Sequence, residues 1–256
     1  MSRPLIRSDA DAFVKKNRSI IYGTMLGDAT VPSPSGKNTS MQFCHSGPQK
    51  EYLFYKYELF KEVAYAPTLV IHGDKKQYSS WRFHTAKHKA WQIIWSIFHE
   101  GSEKRTRAGR TYIPKIVNQR ILDVLDDHGV ALWWMDDGFV SFQHNDETGW
   151  WNEFARLSTC DFTFEENELI AKWFLDQYGA TATVQRQKSE RNKDSIYPVL
   201  NFSWQEFLKI KARIDKFIIP SMVYKTDIKA MQFWMSKRLL EPHGMKFDGE
   251  SILRLK

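Results

Sequence analysis

The stretch Ile21–Ala29 (IYGTMLGDA) is a short, almost entirely apolar run that ends in a carboxylate at Asp28. A second stretch, Val130–Gly138 (VALWWMDDG), repeats this pattern and ends in Asp136 and Asp137. Runs of this length are too short to cross a membrane and suit helices that are buried in a core. Because Asp28 and Asp137 lie 109 residues apart in a chain of 256, the repeat predicts a duplicated fold with one acidic helix end in each half.

An acid at the end of such a helix is in an unfavourable position. Burial removes the water around its charge, and the C-terminal end of a helix already carries partial negative charge. If the ends of the two helices meet, their carboxylates form a strongly negative point that attracts a metal ion. The sequence therefore predicts that Asp28 and Asp137 come together around a cation.

The two helices differ in the residues that would pack against each other. Gly23 and Gly27 are four residues apart, which places both on one helix face and lets another backbone approach closely. The second stretch has Leu132 and Asp136 at the corresponding positions, so we expect lopsided packing, with bulk on one helix against glycine on the other. We expect Asp136 to meet backbone donors at the helix end; the alternative is that it adds negative field beside Asp137.

The two stretches resemble the paired motifs of the LAGLIDADG homing endonucleases in their single-chain form. Three further stretches carry the resemblance: Met41–Phe43 (MQF), Trp81–Trp91 (WRFHTAKHKAW) and Ile218–Lys225 (IIPSMVYK). The likeness runs from about residue 19 to about residue 226 and is greatest to the intron-encoded endonucleases of organellar ribosomal RNA genes. It implies a monomeric, sequence-specific DNA endonuclease.

The fold that the resemblance implies is α+β. The family fold is an αββαββα unit present twice, with two saddle-shaped antiparallel sheets related by a pseudo-two-fold axis through the motif helices. The N-terminal half is then residues 1–102, a basic linker is 103–120, and the C-terminal half is 121–256, with a tail from about residue 226 that has no assignment.

Apolar periodicity and turn residues place the other elements within each half. Besides the motif helices, helices are predicted over residues 8–16, 50–63, 89–99, 116–125 and 204–218. Strands are predicted over residues 39–45, 68–72, 78–85, 181–187 and 196–203, with a hairpin over 139–159. Thr163 and Glu166 predict a capping box for a helix that Gly179 ends.

Composition limits the class of protein. Lys and Arg outnumber Asp and Glu by 37 to 30, which gives a formal charge of +7 and a pI near 9.2. This excess is compatible with nucleic-acid binding but does not establish it. Two cysteines indicate a reducing compartment without a disulfide framework, and no apolar run suits a bilayer or a secretion signal. We therefore expect an intracellular protein without a membrane partner, in an organelle (mitochondrion or chloroplast) or the bacterial cytoplasm.

The resemblance assigns the catalytic acids to Asp28 and Asp137, the eighth letter of each motif. Mg²⁺ takes oxygen ligands from one or two carboxylates, waters and phosphates. Two or three such ions are expected, with Gly27 and Asp136 as further ligands; Mn²⁺ should substitute, and Ca²⁺ should bind without supporting cleavage. One acid for each strand implies two cuts across the minor groove that leave 3′ overhangs.

In the family a lysine lies near each scissile phosphate, where it stabilises developing charge and orients water. Lys225 matches the second of these positions. The first falls in a Lys-Thr-Ile-Pro-like segment, which corresponds here to Arg110–Pro114 with an insertion at Tyr112. Arg110 is therefore the predicted counterpart, although arginine keeps its charge and cannot readily act as a base.

A curved antiparallel ribbon fits the major groove, where all base pairs are distinguishable, so two such sheets predict a long, asymmetric double-stranded site. Arg82 and Arg186, centrally placed on strands, are the predicted base contacts. Gln42 and Ser158, on the strands after each motif, are also predicted to hold active-site water. The candidate DNA contacts are polar residues of the predicted strands and loops: Gln42, His45, His72, Lys75, Lys76, Gln77, Arg82, His84, Gln143, Asn152, Arg156, Ser158, Gln185, Arg186, Gln187, Lys188, Arg191, Lys193 and Asn201.

Three functions remain open at this point. The first is a site-specific, divalent-metal-dependent double-strand endonuclease that promotes the mobility of its own intron. The second is an RNA-binding maturase of the same fold, whose partner is its host intron RNA and which could also cleave DNA. The third is a non-cleaving DNA-binding regulator, against which the presence of both Asp28 and Asp137 argues.

Overall fold

Two similar arrays of helices and strands follow each other along the chain. The computed structural model describes residues 10–34, 38–72, 78–107, 110–144, 149, 151–188 and 196–240. The first array comprises α1 (Ala10–Lys16), α2 (Arg18–Leu26), β1 (Gln42–Ser46), α3 (Lys50–Phe60), β2 (Thr68–His72), β3 (Tyr78–His84) and α4 (Lys89–His99). A short hairpin, β4 (Arg105–Arg107) and β5 (Arg110–Tyr112), and the single turn α5 (Gln119–Leu122) lead to the second array.

The second array begins with the second motif helix and continues into the tail. It comprises α6 (Asp127–Asp137), β6 (Gly138–His144), β7 (Trp151–Leu157), α7 (Phe164–Tyr178), β8 (Thr183–Lys188), β9 (Ile196–Ser203) and α8 (Trp204–Ile214). A 3-10 segment (Pro220–Lys225) and α9 (Ile228–Leu240) follow. None of the helices in the described ranges combines the length and apolar character that crossing a bilayer requires.

Each array contains an antiparallel sheet with helices on one face. The strand order is β1-β3-β2 in the first sheet and β6-β7-β9-β8 in the second. In the first sheet Phe43 pairs with Phe83 and Cys44 pairs with Arg82. The two phenylalanine rings stack in the core with centroids 4.2 Å apart, whereas Cys44 and Arg82 are exposed on the opposite face. Each sheet therefore presents an open face, as the predicted α+β fold requires.

The first sheet has one strand fewer than the predicted four. Among the described residues, the segment after Asp28 pairs only at Thr30, which exchanges two backbone hydrogen bonds with Gln42 at 2.7 and 3.0 Å. Pro32 and Pro34 follow and lack the N–H groups that a strand ladder needs. The strand therefore reduces to a single bridge.

The two motif helices, α2 and α6, cross at their glycines. A Cβ atom on Gly27 would lie 2.3 Å from Asp136 Oδ2, so the lopsided packing predicted for this pair is confirmed. The expectation was wrong for Gly23, because its Cβ would lie 2.0 Å from the carbonyl oxygen of Gly129. Gly129 lies about one helical turn before Leu132, so two glycines, Gly23 and Gly129, pack against each other here.

Local capping signals fix several helix ends. The Thr163 hydroxyl accepts the Glu166 N–H and the Glu166 carboxylate accepts the Thr163 N–H, which confirms the capping box. Gly179 ends α7 with a φ of 62°. The helix predicted over residues 116–125 is only the turn α5, because Asn118 starts it by accepting the Ile121 N–H and Asp126 already caps α6.

The tail, for which the sequence made no prediction, begins with a docked helix. In α9, Met231 is buried, and the Trp234 ring stacks on Tyr224 of the 3-10 segment with centroids 4.4 Å apart. This helix therefore packs beside Lys225, close to the crossing of α2 and α6.

Candidate active site and nucleic-acid interface

Asp28 and Asp137 open onto the same cavity. Asp28 lies two residues after the end of α2, and Asp137 is the last residue of α6. Both acids line a cavity of about 780 Å³, together with Lys115 and Ser158. The Asp28 side chain is 47% exposed, and Asp137 is half-buried. The crossing therefore brings together the two acids that the sequence analysis placed in separate halves.

The surroundings of Asp137 disfavour its negative charge. Burial raises the pKa of this carboxyl well above its usual range, and the charges of Asp136 and Asp28 raise it further. Lys115 and Lys225 act in the opposite direction without overcoming burial. A cation placed between the two acids would remove much of this cost, because it stabilises the ionised form.

Lys115 is a cationic group of the site that the sequence analysis missed. Its Nζ donates hydrogen bonds to the carbonyl oxygens of Met25 at 2.6 Å, Gly27 at 2.7 Å and Ala29 at 3.0 Å. Burial lowers the pKa of this lysine, and the nearby acids raise it. Lys115 therefore binds the carbonyl groups on both sides of the first motif acid.

Lys225 makes the equivalent contact in the second half. Its Nζ donates to the carbonyl oxygen of Asp136 at 3.0 Å, and its own carbonyl accepts the Trp134 Nε1–H at 3.0 Å. Gly27 and Asp136 each precede a motif acid, so Lys115 and Lys225 are pseudo-symmetric. Their separation of 110 residues, close to the 109 between the acids, is the signal that could have identified Lys115.

Arg110 lies in the hairpin between the halves. Its backbone belongs to β5, and its side chain is outside the described residues. In the same hairpin, Arg105 Nη1 donates to the carbonyl oxygen of Asp161 at 3.1 Å, which ties the linker to the second half. The role predicted for Arg110 stays a prediction, and Lys115 is the linker cation that the described residues place beside the acids.

Asp136 faces away from that cavity. Its carboxylate is fully buried and accepts two hydrogen bonds from Lys56 Nζ, at 2.6 and 2.8 Å, and one from the Asp28 N–H at 3.2 Å. The expected backbone donor is present, but a protein cation is present too. Side-chain atoms of Asp28, His45 and Asp136 lie within 4.8 Å of one another, a spacing that could suit a metal ion. Because the Lys56 ammonium already occupies this cluster, the Asp136 carboxylate is not free for the metal binding predicted for it.

The predicted water-holding residues lie on or beside strands: Gln42 begins β1, and Ser158 directly follows β7. Gln42 lines a second cavity of about 530 Å³ with Asp28, Arg82 and His84. Ser158 donates its N–H to the carbonyl oxygen of Asp137 at 3.0 Å and lines the larger cavity. Both residues therefore lie beside a motif acid.

Strand register identifies a different counterpart of Gln42. Gln42 pairs with Thr30, and Arg156 pairs with Phe139. Thr30 and Phe139 both lie two residues after a motif acid, so Arg156 takes the position equivalent to Gln42 and Ser158 does not. The second half therefore has a guanidinium at a site where the first half has an amide.

The open face of the first sheet carries part of the predicted DNA-contact set. Arg82 and His84 are exposed there, and Arg82 Nη2 lies 3.2 Å from His72 Nε2. His45 does not belong to this face and the prediction for it was wrong. Its side chain is 3% exposed on the helix side of β1, where Nε2 lies 3.1 Å from Lys56 Nζ. Its placement follows from strand alternation, because the neighbouring Cys44 is exposed.

The open face of the second sheet carries a connected polar network. Arg156 donates from Nε to Asn201 Oδ1 at 2.6 Å and from Nη1 to Gln187 Oε1 at 3.0 Å. Asn201 in turn donates from Nδ2 to Gln185 Oε1. The exposed Gln143 and Asn152 pair on neighbouring strands β6 and β7. These six predicted contacts all lie on the open face of the second sheet.

Arg186 is on the wrong side of β8 for its predicted role as a central base contact. Its guanidinium lies 4.5 Å from the ring centroid of Phe164, at the start of α7. Alternation along the strand places Lys188 on the same helix side. The alternation of side chains along β8 therefore places Gln185 and Gln187, and not Arg186 and Lys188, on the open face of the sheet. The predicted contacts Lys75, Lys76, Gln77, Arg191 and Lys193 lie outside the described residues.

Comparison with known proteins decides the family. The LAGLIDADG DNA endonuclease family matches residues 18–210, three quarters of the chain. The chain belongs to the LAGLIDADG DNA endonuclease family. The predicted family, fold class and enzyme class are confirmed: this LAGLIDADG protein is a DNA endonuclease by family.

Individual relatives are distant in sequence. The cytochrome b mRNA maturase bI2 of Saccharomyces cerevisiae is 25% identical over 217 residues, which cover 81% of this chain and 46% of the maturase. A probable intron-encoded DNA endonuclease 3 of Mycosarcoma maydis is 27% identical over 158 residues, covering 61% of this chain and 98% of that protein. The solved structure of the homing endonuclease I-WcaI, bound to its DNA recognition sequence, matches with a TM-score of 0.65 at 20% identity and covers 87% of this chain and 94% of its own. At this identity the structural match supports the fold.

Proposed function

We propose that this LAGLIDADG endonuclease cuts both strands of double-stranded DNA within one long, asymmetric site and so promotes the mobility of its own intron. The observation that carries the proposal is the convergence of Asp28 and Asp137 on one cavity, flanked by the open faces of two unequal sheets. Both acids belong to one chain, so a monomer suffices. The protein would then act in an organelle or in a bacterial cytoplasm, where its intron is located.

The donor set fits a divalent metal ion. Asp28 and Asp137 offer carboxylate oxygens on the cavity, and the raised pKa of Asp137 indicates an unsatisfied need for positive charge there. Mg²⁺ is the ion of choice for carboxylate, water and phosphate oxygens, with two or three ions expected, Mn²⁺ as a substitute and Ca²⁺ binding without supporting cleavage. When bound, the metal supplies an activated water and stabilises the leaving 3′-oxygen.

The protein's own residues would divide the remaining work between two similar centres. Asp28 and Asp137 each serve one scissile phosphate, which gives two cuts across the minor groove and 3′ overhangs. Lys115 and Lys225 hold the carbonyl groups beside the acids and supply positive charge close to the phosphates. Ser158, on the cavity wall beside Asp137, is placed to orient water.

The open sheet faces are the proposed DNA-binding surface. Arg82 and His84 of the first sheet lie on the wall of the cavity that contains Asp28. The network of Arg156, Asn201 and Gln187 lies on the second sheet. Arginine and amide side chains form the bidentate contacts that distinguish guanine and adenine in the major groove.

An RNA-binding maturase activity is the second candidate function. The observation that favours it is the match to the yeast mRNA maturase over 81% of this chain. The two activities are compatible, because the outer surfaces of the helices, such as the exposed Glu168 and Lys172 of α7, stay accessible while the open sheet faces bind DNA.

Cleavage of a randomised duplex pool with Mg²⁺ tests the proposal directly and yields the target site. Asp28→Asn and Asp137→Asn should each abolish production of linear plasmid while binding in Ca²⁺ persists. Asp123→Asn is the matched control, because this exposed acid lies apart from the cavity. Linear product from either motif variant would contradict the assignment of that acid. Binding of intron RNA together with failure to cut any DNA would favour the maturase.

A further inference from the structure

A buried ion pair joins the two halves directly beneath the catalytic acids. Lys56, on α3 of the first half, has a fully buried side chain and donates to both carboxylate oxygens of Asp136 at the end of α6. The ammonium lies 4.5 Å from the ring centroid of Tyr52, whose hydroxyl donates to the carbonyl oxygen of Leu132 at 3.0 Å. The ammonium is therefore held in the core by a carboxylate and an aromatic ring.

Stability alone is a poor explanation for such a pair. Removing two charges from water costs several kcal/mol per ion, and well-packed apolar residues of similar volume are often as stable or more so. The pair is also present on one side only. Gly27 occupies the position equivalent to Asp136, and within the described chain α7 buries Asn167, Ile170, Trp173 and Phe174 and no charged side chain. Because the ion pair occurs beside one motif helix end only, we expect it to act on one of the two motif acids.

Two contacts connect this pair to Asp28. Asp136 Oδ2 accepts the backbone N–H of Asp28 at 3.2 Å, which fixes the point where the chain leaves α2. Lys56 Nζ lies 3.1 Å from His45 Nε2, and an ammonium group has donors but no acceptor. Nε2 must therefore accept, so that the proton is on Nδ1, which lies 3.7 Å from Asp28 Oδ2, an electrostatic contact that is longer than a hydrogen bond.

We infer that Lys56, Asp136 and His45 form a positioning network that orients Asp28, and that the described residues give Asp137 no counterpart of it. The network contacts Asp28 from the protein interior, and the cavity lies on the other side of this residue. This inference rests on the proposed function in one respect, namely that each acid serves one strand. It follows that loss of the network slows cleavage of one strand and spares the other.

Single-turnover cleavage of a duplex labelled on both strands, with saturating enzyme and Mg²⁺, separates the two rate constants. In the double variant Lys56→Met/Asp136→Ala both charges leave together, so no unpaired charge is buried. We expect the rate constant of one strand to fall at least about tenfold, because small displacements of a reacting group are costly, and that of the other to change less than about twofold. Nicked DNA should accumulate while the Kd for DNA is unchanged.

Two histidine variants test the chemistry of the link. His45→Gln keeps an acceptor for Lys56 and a donor for Asp28, and it should retain the wild-type ratio of strand rates. His45→Leu keeps neither group and should reproduce the nicking of the double variant. Tyr178→Phe is the matched control, because it removes a half-buried hydroxyl that donates to Asp127 at the far end of α6. Equal slowing of both strands in His45→Leu would overturn the inference.

A measurement without DNA keeps the inference separate from the proposed function. In ¹⁵N-histidine-labelled protein, the His45 signal, assigned by its absence in His45→Gln, should show the Nδ1-protonated tautomer. A proton on Nε2 would overturn the network, whether or not the enzyme cuts. Absence of cleavage by the wild-type protein on every duplex, with the Nδ1 tautomer present, would instead count against the proposed function alone.

Discussion

The carbonyl oxygen of Gly129 lies 2.0 Å from the point that a Cβ atom on Gly23 would occupy. This contact joins backbone to backbone, so no side-chain rotation can relieve a clash there. The separation of α2 and α6 is consequently set by two glycines. The same separation brings Asp28 and Asp137 to one cavity.

Gly23→Ala should therefore force the central helices apart. We expect the free energy of unfolding to fall by about 3 kcal/mol, the upper range for overpacking a tight contact, and cleavage to fall further because both acids move. Urea denaturation measures the first effect. Glu168→Ala, at an exposed position of α7, is the control and should change stability by less than about 0.5 kcal/mol. A stable, active Gly23→Ala protein would mean that the crossing can adjust.

Lys115→Met should lower the single-turnover cleavage rate about 100-fold, the typical cost of losing one group that stabilises developing charge. Lys225→Met should have a similar effect, because both lysines contact the carbonyl group that precedes a motif acid. Arg110→Met should have a smaller effect on the rate at saturating DNA. If Arg110→Met slowed cleavage more than Lys115→Met, Arg110 would be the counterpart of Lys225, as the sequence motif predicts.

Arg156→Ala should relax the choice of base at one or two positions, with a loss of discrimination of about 1–3 kcal/mol. The reason is that Arg156 lies on the open face and is held by Asn201 and Gln187. Cleavage of a panel of single-base variants of the target measures this change. Arg186→Ala should leave base preference unaltered, since its guanidinium packs on Phe164. An altered preference in Arg186→Ala alone would reverse the assigned strand faces.

Asp137 should make the metal-free protein less stable as pH rises. Burial raises the pKa of its carboxyl, so the native state keeps this proton to a higher pH than the unfolded chain does. The resulting stability is present below the ordinary carboxyl pKa and is lost as pH rises through the raised native pKa. Thermal unfolding in EDTA should show this loss in the wild type and much less of it in Asp137→Asn. Mg²⁺ should restore the wild type at higher pH, because it binds the ionised form. Parallel pH profiles for the two proteins would contradict the assignment.

Local features of the fold were predictable from the sequence. The motif helices, the hairpin of β6 and β7 and the capping box at Thr163 each depend on residues close together in the chain. Capping residues also limit helix length: Asn118 starts α5 and Asp126 starts α6, so α5 is a single turn.

The features that the sequence did not reveal depend on register or on distant contacts. A shift of one residue in strand parity moves every side chain to the other face, which is why Arg186 was misplaced. Lys56 and Asp136 are 80 residues apart, and nothing near either residue indicates the pairing. Lys115 follows the Ile113-Pro114 pair, whereas the family motif indicates a cation before that pair, so only the spacing of 110 residues from Lys225 points to Lys115.

Within the described residues, the bridge at Thr30 leaves the first sheet with three strands where the second has four. A narrower ribbon touches fewer base edges, so its half of the target should carry less information content in a logo of cleaved sequences. Mutational drift in a host gene would then be tolerated mainly on that side. An intron with such an enzyme could invade related genes whose insertion sites differ there, while the wider sheet confines it to one conserved locus.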